Sequence, residues 1–141
     1  DGTSAGQRDN QMQAGAVVVP QEGNIVVIKQ TLPDGSGQSF TFNPSWGSSF
    51  ALTDGQSNDS GPLVAGAYSV SETVPSGWDL TNTSCVSSIL DAETAGSLEL
   101  DPEETITCTF TNTQRGHIIV DKVTNPSGDA QSFNFDAVGT G

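Results

Sequence analysis

The chain has 141 residues, with 4 Lys and Arg against 17 Asp and Glu and a formal net charge of -13. So acidic a chain is excluded from binding nucleic acid or anionic lipid through charge, and its apolar runs, AVVV and IVVI, fall far short of the roughly 18 residues of a membrane span. The length suits one domain plus a further piece, with a core small enough to gain from covalent help.

Residues 1 to 22 begin with DGTSAGQRDNQMQA, which has no hydrophobic period and reads as an N-terminal arm. The chain opens at Asp1 without a basic, apolar signal region, so the expectation is an exported protein whose signal has already been removed. Next comes AVVV, residues 16 to 19. From residue 23 the chain writes one stretch twice: GNIVVIKQTLPDG at 23 to 35 returns as GHIIVDKVTNPSG at 116 to 128. Aligned through residues 48 and 141, the two copies share 11 identities in 26 positions at a period of 93. Lys29 and Lys122, the two lysines of the chain, fall at the same repeat position. The same period lays CTFTNTQR (108 to 115) on GAVVVPQE (15 to 22), so AVVV stands where the last strand of a preceding repeat would stand and reads as a donor strand.

Between the copies, short β-branched and aromatic runs alternate with turn signals. IVVIKQT, the turn PDGSG and SFTF form a first hairpin, followed by SFALTDG, PLVAG, AYSVSETV with the turn PSGW, LTNTSCVSS, SLEL and TITCTFTNT. About seven short strands and no helical period predict an all-β, Greek-key sandwich over 23 to 115. Residues 116 to 141 hold the first hairpin of a second repeat and nothing to pair it with. A lone hairpin is marginal, so either a longer chain or another molecule is expected to complete it.

Strand alternation assigns faces. Ile25, Val27 and Lys29 share one face; Tyr68, Val70, Glu72 and Val74 another; Ile106, Cys108, Phe110 and Asn112 a third. Three core-facing rows therefore each run into one polar residue: Lys29, Glu72 and Asn112. IVVIKQT, YSVSETVPSGW and CTFTNT, in this order and at this spacing, resemble the lysine strand, the Glu-bearing strand and turn, and the terminal asparagine strand of the Cna-B-type, prealbumin-like (SpaA-like) domains of bacterial surface proteins and pilins. The resemblance covers 23 to 115, with 116 to 141 as a second, partial match. It implies an intramolecular isopeptide cross-link between Lys29 and Asn112, assisted by Glu72. Burial favours a neutral, nucleophilic amine and a protonated carboxyl, and that carboxyl can hydrogen-bond the Asn112 carbonyl, polarise it and carry the proton as ammonia leaves. The competing reading is a plain polar cluster in which Lys29 pairs with Glu72.

Cys85 and Cys108 form either a disulfide or a pair of buried thiols; the extracellular look of the chain favours the disulfide. Asp54, Asn58 and Asp59 in DGQSNDSG are weak calcium candidates, since the bidentate Glu of a calcium loop is missing; no metal and no cofactor is expected. Glu103 and Glu104, being adjacent, point to opposite faces and do not make an acid and base pair. Val19 stands where Asn112 stands, so AVVV brings Lys122 no amide.

No acid, base and nucleophile set converges, so an enzyme is not expected. The leading expectation is a structural module of an extracellular or cell-surface filament, pilus or stalk, with a second copy of itself as partner, assembling head to tail by strand addition. No nucleic acid and no membrane insertion enter this reading. The alternative is an adhesin or carbohydrate-binding module with a glycan or matrix ligand, built around Trp46, while Trp78 in the PSGW turn is expected to pack.

Overall fold

The structure is a computed structural model, and it describes residues 21 to 139. The arm, the AVVV donor strand and all but the last two residues of the predicted 1 to 22 segment lie outside those residues.

Eleven strand segments follow one another: β1 (Glu22–Leu32), β2 (Phe40–Pro44), β3 (Phe50–Leu52), β4 (Ser57–Asp59), β5 (Leu63–Val64), β6 (Gly66–Tyr68), β7 (Val70–Thr73), β8 (Trp78–Ser87), β9 (Ala92–Glu93), β10 (Leu98–Leu100) and β11 (Thr105–Gln114). The larger sheet runs β4-β1-β11-β8-β9, with β5 on the start of β1; the smaller runs β3-β2-β7, and β10 pairs with β6. The predicted strand AYSVSETV is interrupted at Ser69, which parts β6 from β7.

β1 and β11 carry the domain. They lie parallel, in unbroken register from Asn24 opposite Thr105 to Leu32 opposite Thr113. Alternate residues of each are buried: Ile25, Val27, Lys29 and Thr31 on β1, Ile106, Cys108, Phe110 and Asn112 on β11. The smaller sheet closes over this face with Phe40, Phe42, Leu52 and Val70. Phe42 meets Phe110 edge to face at 5.1 Å between ring centroids, and Phe40 meets Trp78 in the same way at 5.2 Å, the preferred geometry for aromatic quadrupoles. Trp78 packs as expected. Trp46, predicted as an exposed ring, is instead partly buried against the core, edge-on to Tyr68 at 6.2 Å, because NPSWGSS folds back over the sheet.

One glycine is dictated by contact. A Cβ on Gly23 would lie 2.5 Å from the Glu104 carbonyl and 2.9 Å from that of Asp101, so the turn before β11 packs directly on the start of β1. Its repeat counterpart Gly116 has nothing within 4 Å. Residues 116 to 139 join no strand ladder, and Ile118, Ile119 and Val120 are 92%, 81% and 63% exposed.

Candidate functional site

Three strands deliver three polar side chains to one dry point between the sheets. β1 carries Lys29 and β11 carries Asn112, both 0% exposed, and β7 brings Glu72, whose side chain is equally buried. Lys29 Nζ donates to Asn112 Oδ1 at 2.6 Å, to the Gln30 carbonyl at 2.7 Å and to the Phe110 carbonyl at 3.1 Å. Asn112 Nδ2 donates to Glu72 Oε2 at 2.6 Å, and Glu72 Oε1 lies 3.5 Å from Nζ with no hydrogen bond of its own. The Phe40 ring floors the site, 4.2 Å from Nζ.

Backbone contacts on the other edge of β1 fix the lysine. The Lys29 N–H donates to the Gln56 carbonyl at 2.9 Å, and the Lys29 carbonyl accepts from Gly55 N at 2.8 Å. Beside them Asp54 accepts from Thr31 N at 2.6 Å and Gly35 N at 2.7 Å. These bonds, that from Gly35 first, hold its carboxyl below the usual range. On the β8 side the register shifts at Thr111/Asn112, leaving Thr81 as the extra residue of a β-bulge. The Thr81 hydroxyl reaches both the Thr111 carbonyl and Thr113 Oγ1, so a bulge sits level with Asn112.

The electrostatics favour a neutral pair. Burial lowers the Lys29 pKa, with Glu72 and Asp54 pulling the other way. Burial likewise raises that of Glu72 against the opposing pull of Asn112 and Lys29. Dry surroundings disfavour both charges. The arrangement thus brings a buried amine, an amide and a carboxyl together, with Glu72, expected on the Asn112 carbonyl, on the amide nitrogen because Lys29 Nζ takes the carbonyl oxygen.

The other predicted residues fall elsewhere. Cys85 and Cys108 form a disulfide between directly opposed positions of β8 and β11. Asp54 and Asp59 turn their oxygens to separate donors, Asp59 accepting from Asn24 Nδ2 and Gly61 N, while Asn58 lies on β4 opposite Val27; the three do not gather around one point. Lys122 repeats the local contacts of Lys29, donating to the Val123 carbonyl at 2.9 Å and lying 4.2 Å over Phe133. It is exposed and, among the described residues, meets neither carboxyl nor amide side chain.

Sequence reasoning missed Glu104. It is fully buried, accepts from Asp101 N at 2.7 Å and from the Ser87 hydroxyl, and so ties the turn before β11 to the end of β8. The adjacency of Glu103 and Glu104 did carry a signal: one of two neighbours on a strand end faces inward.

With this geometry in place, the chain can be compared with known proteins. A family described as the prealbumin-like fold domain matches residues 25–114, nearly all of β1 to β11. The chain belongs to that family. The major pilin protein (T-13) from Streptococcus pyogenes serotype GAS131465 shares the fold, with a TM-score of 0.55 at 18% identity over 67% of this chain. The match spans 45% of the pilin's own length. No curated protein sequence matches significantly. The Lys29, Asn112 and Glu72 contact therefore lies between the two sheets of a prealbumin-like domain. Among the described residues no helix is long and apolar enough to cross a membrane.

Proposed function

We infer that this prealbumin-like domain is a structural module of an extracellular filament, pilus or surface stalk, closed by a Lys29 to Asn112 isopeptide bond and assembling with copies of itself. The observation that carries the reading is the buried contact of Lys29 Nζ with Asn112 Oδ1 at 2.6 Å, beside Glu72 Oε2 on the amide nitrogen at 2.6 Å.

The reaction follows from those contacts. Neutral Nζ attacks Asn112 Cγ, the C–N bond to Nδ2 breaks, and one ammonia leaves. Glu72, entering as the neutral acid, gives its proton to Nδ2, which it already touches, and takes one from the attacking amine, so it ends the step protonated again. Proximity supplies much of the rate, because all three groups are held before reaction. The product is a single-turnover staple, with no external substrate. It joins β1 to β11, the first and last strands of the domain, so that tension applied at its two ends loads a covalent bond. The Cys85–Cys108 disulfide ties β11 to β8 on the other side.

In this reading copies join head to tail by strand addition. The adhesin alternative gains no support, since the Trp46 ring it relied on leans on Tyr68.

Intact mass tests the staple. A deficit of one ammonia that survives reduction is expected, and Glu72→Ala should restore the full mass. Full theoretical mass in the unsubstituted protein overturns the reading.

A further inference from the structure

The smaller sheet ends in an open edge. β7 pairs with β2 alone. The Ser69 carbonyl accepts from Ser45 N on the β2 side, whereas Val70 N, facing the other way, donates to the Ala95 carbonyl at 2.8 Å. By alternation the Glu72 N–H and carbonyl also face that outer side, where no strand of the described residues lies. Along the edge runs a cavity of about 470 Å³, walled by Val70, Glu72, Leu80, Cys85 and Phe110, with Glu93 and Ala95 at the Val70 end. An unpaired edge beside an apolar trough is a site for an added strand.

The same chain carries a segment of matching character. Ile118, Val120 and Lys122 share one face by alternation; the first two are exposed and apolar, and none lies in a ladder. Charge sets the direction. Among the described residues Lys122 makes no ion pair, while Glu93 on the trough wall has carboxylate oxygens of Asp91 and Glu104 within 4.8 Å. Burial, and after it the nearby Asp91, Glu104 and Glu99, push the Glu93 carboxyl up against the lowering hydrogen bond it accepts from Glu99 N.

We propose that residues 118 to 122 of one copy add antiparallel to the β7 edge of a second copy, seating Ile118 and Val120 in the trough and Lys122 against Glu93 and Asp91. The contact joins two different surfaces, so it propagates rather than closing into a dimer. It also roofs Glu72 in the receiving copy, and with it the Lys29 and Asn112 site. The inference rests on the reading of a self-assembling module and names its docking surface, in place of the 16 to 19 strand.

A photoreactive residue at position 120, with two isotopically distinct batches of protein mixed, should cross-link between copies to residues 70 to 72 or 94 to 96. In sedimentation over a concentration series, Lys122→Glu and Glu93→Lys should each weaken association by about tenfold, and the two together should restore it. Inter-chain cross-links to residues 15 to 22, or no concentration dependence in the unsubstituted protein, overturn the proposal. The mass measurement reads the staple separately, so failure of the docking surface and failure of the staple are told apart.

Discussion

Residues 23 to 48 and 116 to 139 are two copies of one motif in opposite physical states. In the first, Lys29 and its alternating neighbours are sealed beneath Phe40 and Phe42; in the second, Lys122 and the residues aligned with them lie in solvent. Both lysines nevertheless donate to the carbonyl of the next residue and lie 4.2 Å over the equivalent phenylalanine. The lysine and phenylalanine contact is therefore local to the repeated stretch, although β1 and β2, expected to pair as a hairpin, lie in different sheets because β1 pairs with β11 and β4 and β2 with β3 and β7. What the repeated stretch does not contain is desolvation, the amide and the carboxyl, which arrive from β11 and β7. The buried polar contact in this fold is a property of the completed sandwich.

The comparison is broken most severely at the lysines. Lys29→Ala deletes a buried stem, leaves Glu72 and Asn112 facing a void, and removes the amine of the proposed cross-link. Loss of at least about 3 kcal/mol is expected, against no more than about 0.5 kcal/mol for Lys122→Ala. Urea unfolding midpoints check both, and equal effects would contradict the different states of the two copies. Reduction of Cys85–Cys108, whose partners are 23 apart in sequence, should cost about 3 kcal/mol on the chain-entropy model. The same unfolding assay, with and without reductant, reads it.

A subtler difference lies at the repeated glycines. Gly23→Ala forces a methyl group onto the Glu104 carbonyl and should cost about 1–3 kcal/mol as an overpacking substitution. Gly116→Ala, with nothing within 4 Å, should leave the midpoint unchanged. The two variants separate the turn packed on β1 from its unpacked copy.

Much of this was legible in the residues. Alternation in IVVIKQT, YSVSETV and TITCTFTNT is a one-dimensional signal with a fixed period, so it assigned Lys29, Glu72 and Asn112 to the core before any contact was known. Turn residues gave the strand breaks for the same reason. What stayed hidden depends on distant pairing. The bulge at Thr81 arises from the register of β8 on β11, the Glu104 and Ser87 contact joins residues 17 apart, and Trp46 meets Tyr68 only after the chain has turned back. An exposed aromatic and a half-buried one have the same local sequence. The short breaks that divide the chain into eleven segments rather than about seven strands likewise follow from sheet geometry.

The smallest expected effect concerns protons. In Glu72→Gln the staple should not form, and Lys29 remains a free amine in a dry site. Its pKa, already lowered by burial, loses the opposing help of the carboxylate. The folded state then binds fewer protons than the unfolded one between the lowered value and the ordinary 10.5. Stability must therefore rise with pH across that window, with a slope of at most about 1.4 kcal/mol per pH unit for one proton. In the stapled protein Lys29 is an amide and has no proton to exchange, so the slope from this group vanishes. Urea midpoints of the two proteins through the alkaline range give the difference. Parallel curves would mean that Lys29 titrates alike in both, and would place the amine of the unsubstituted protein outside any covalent bond.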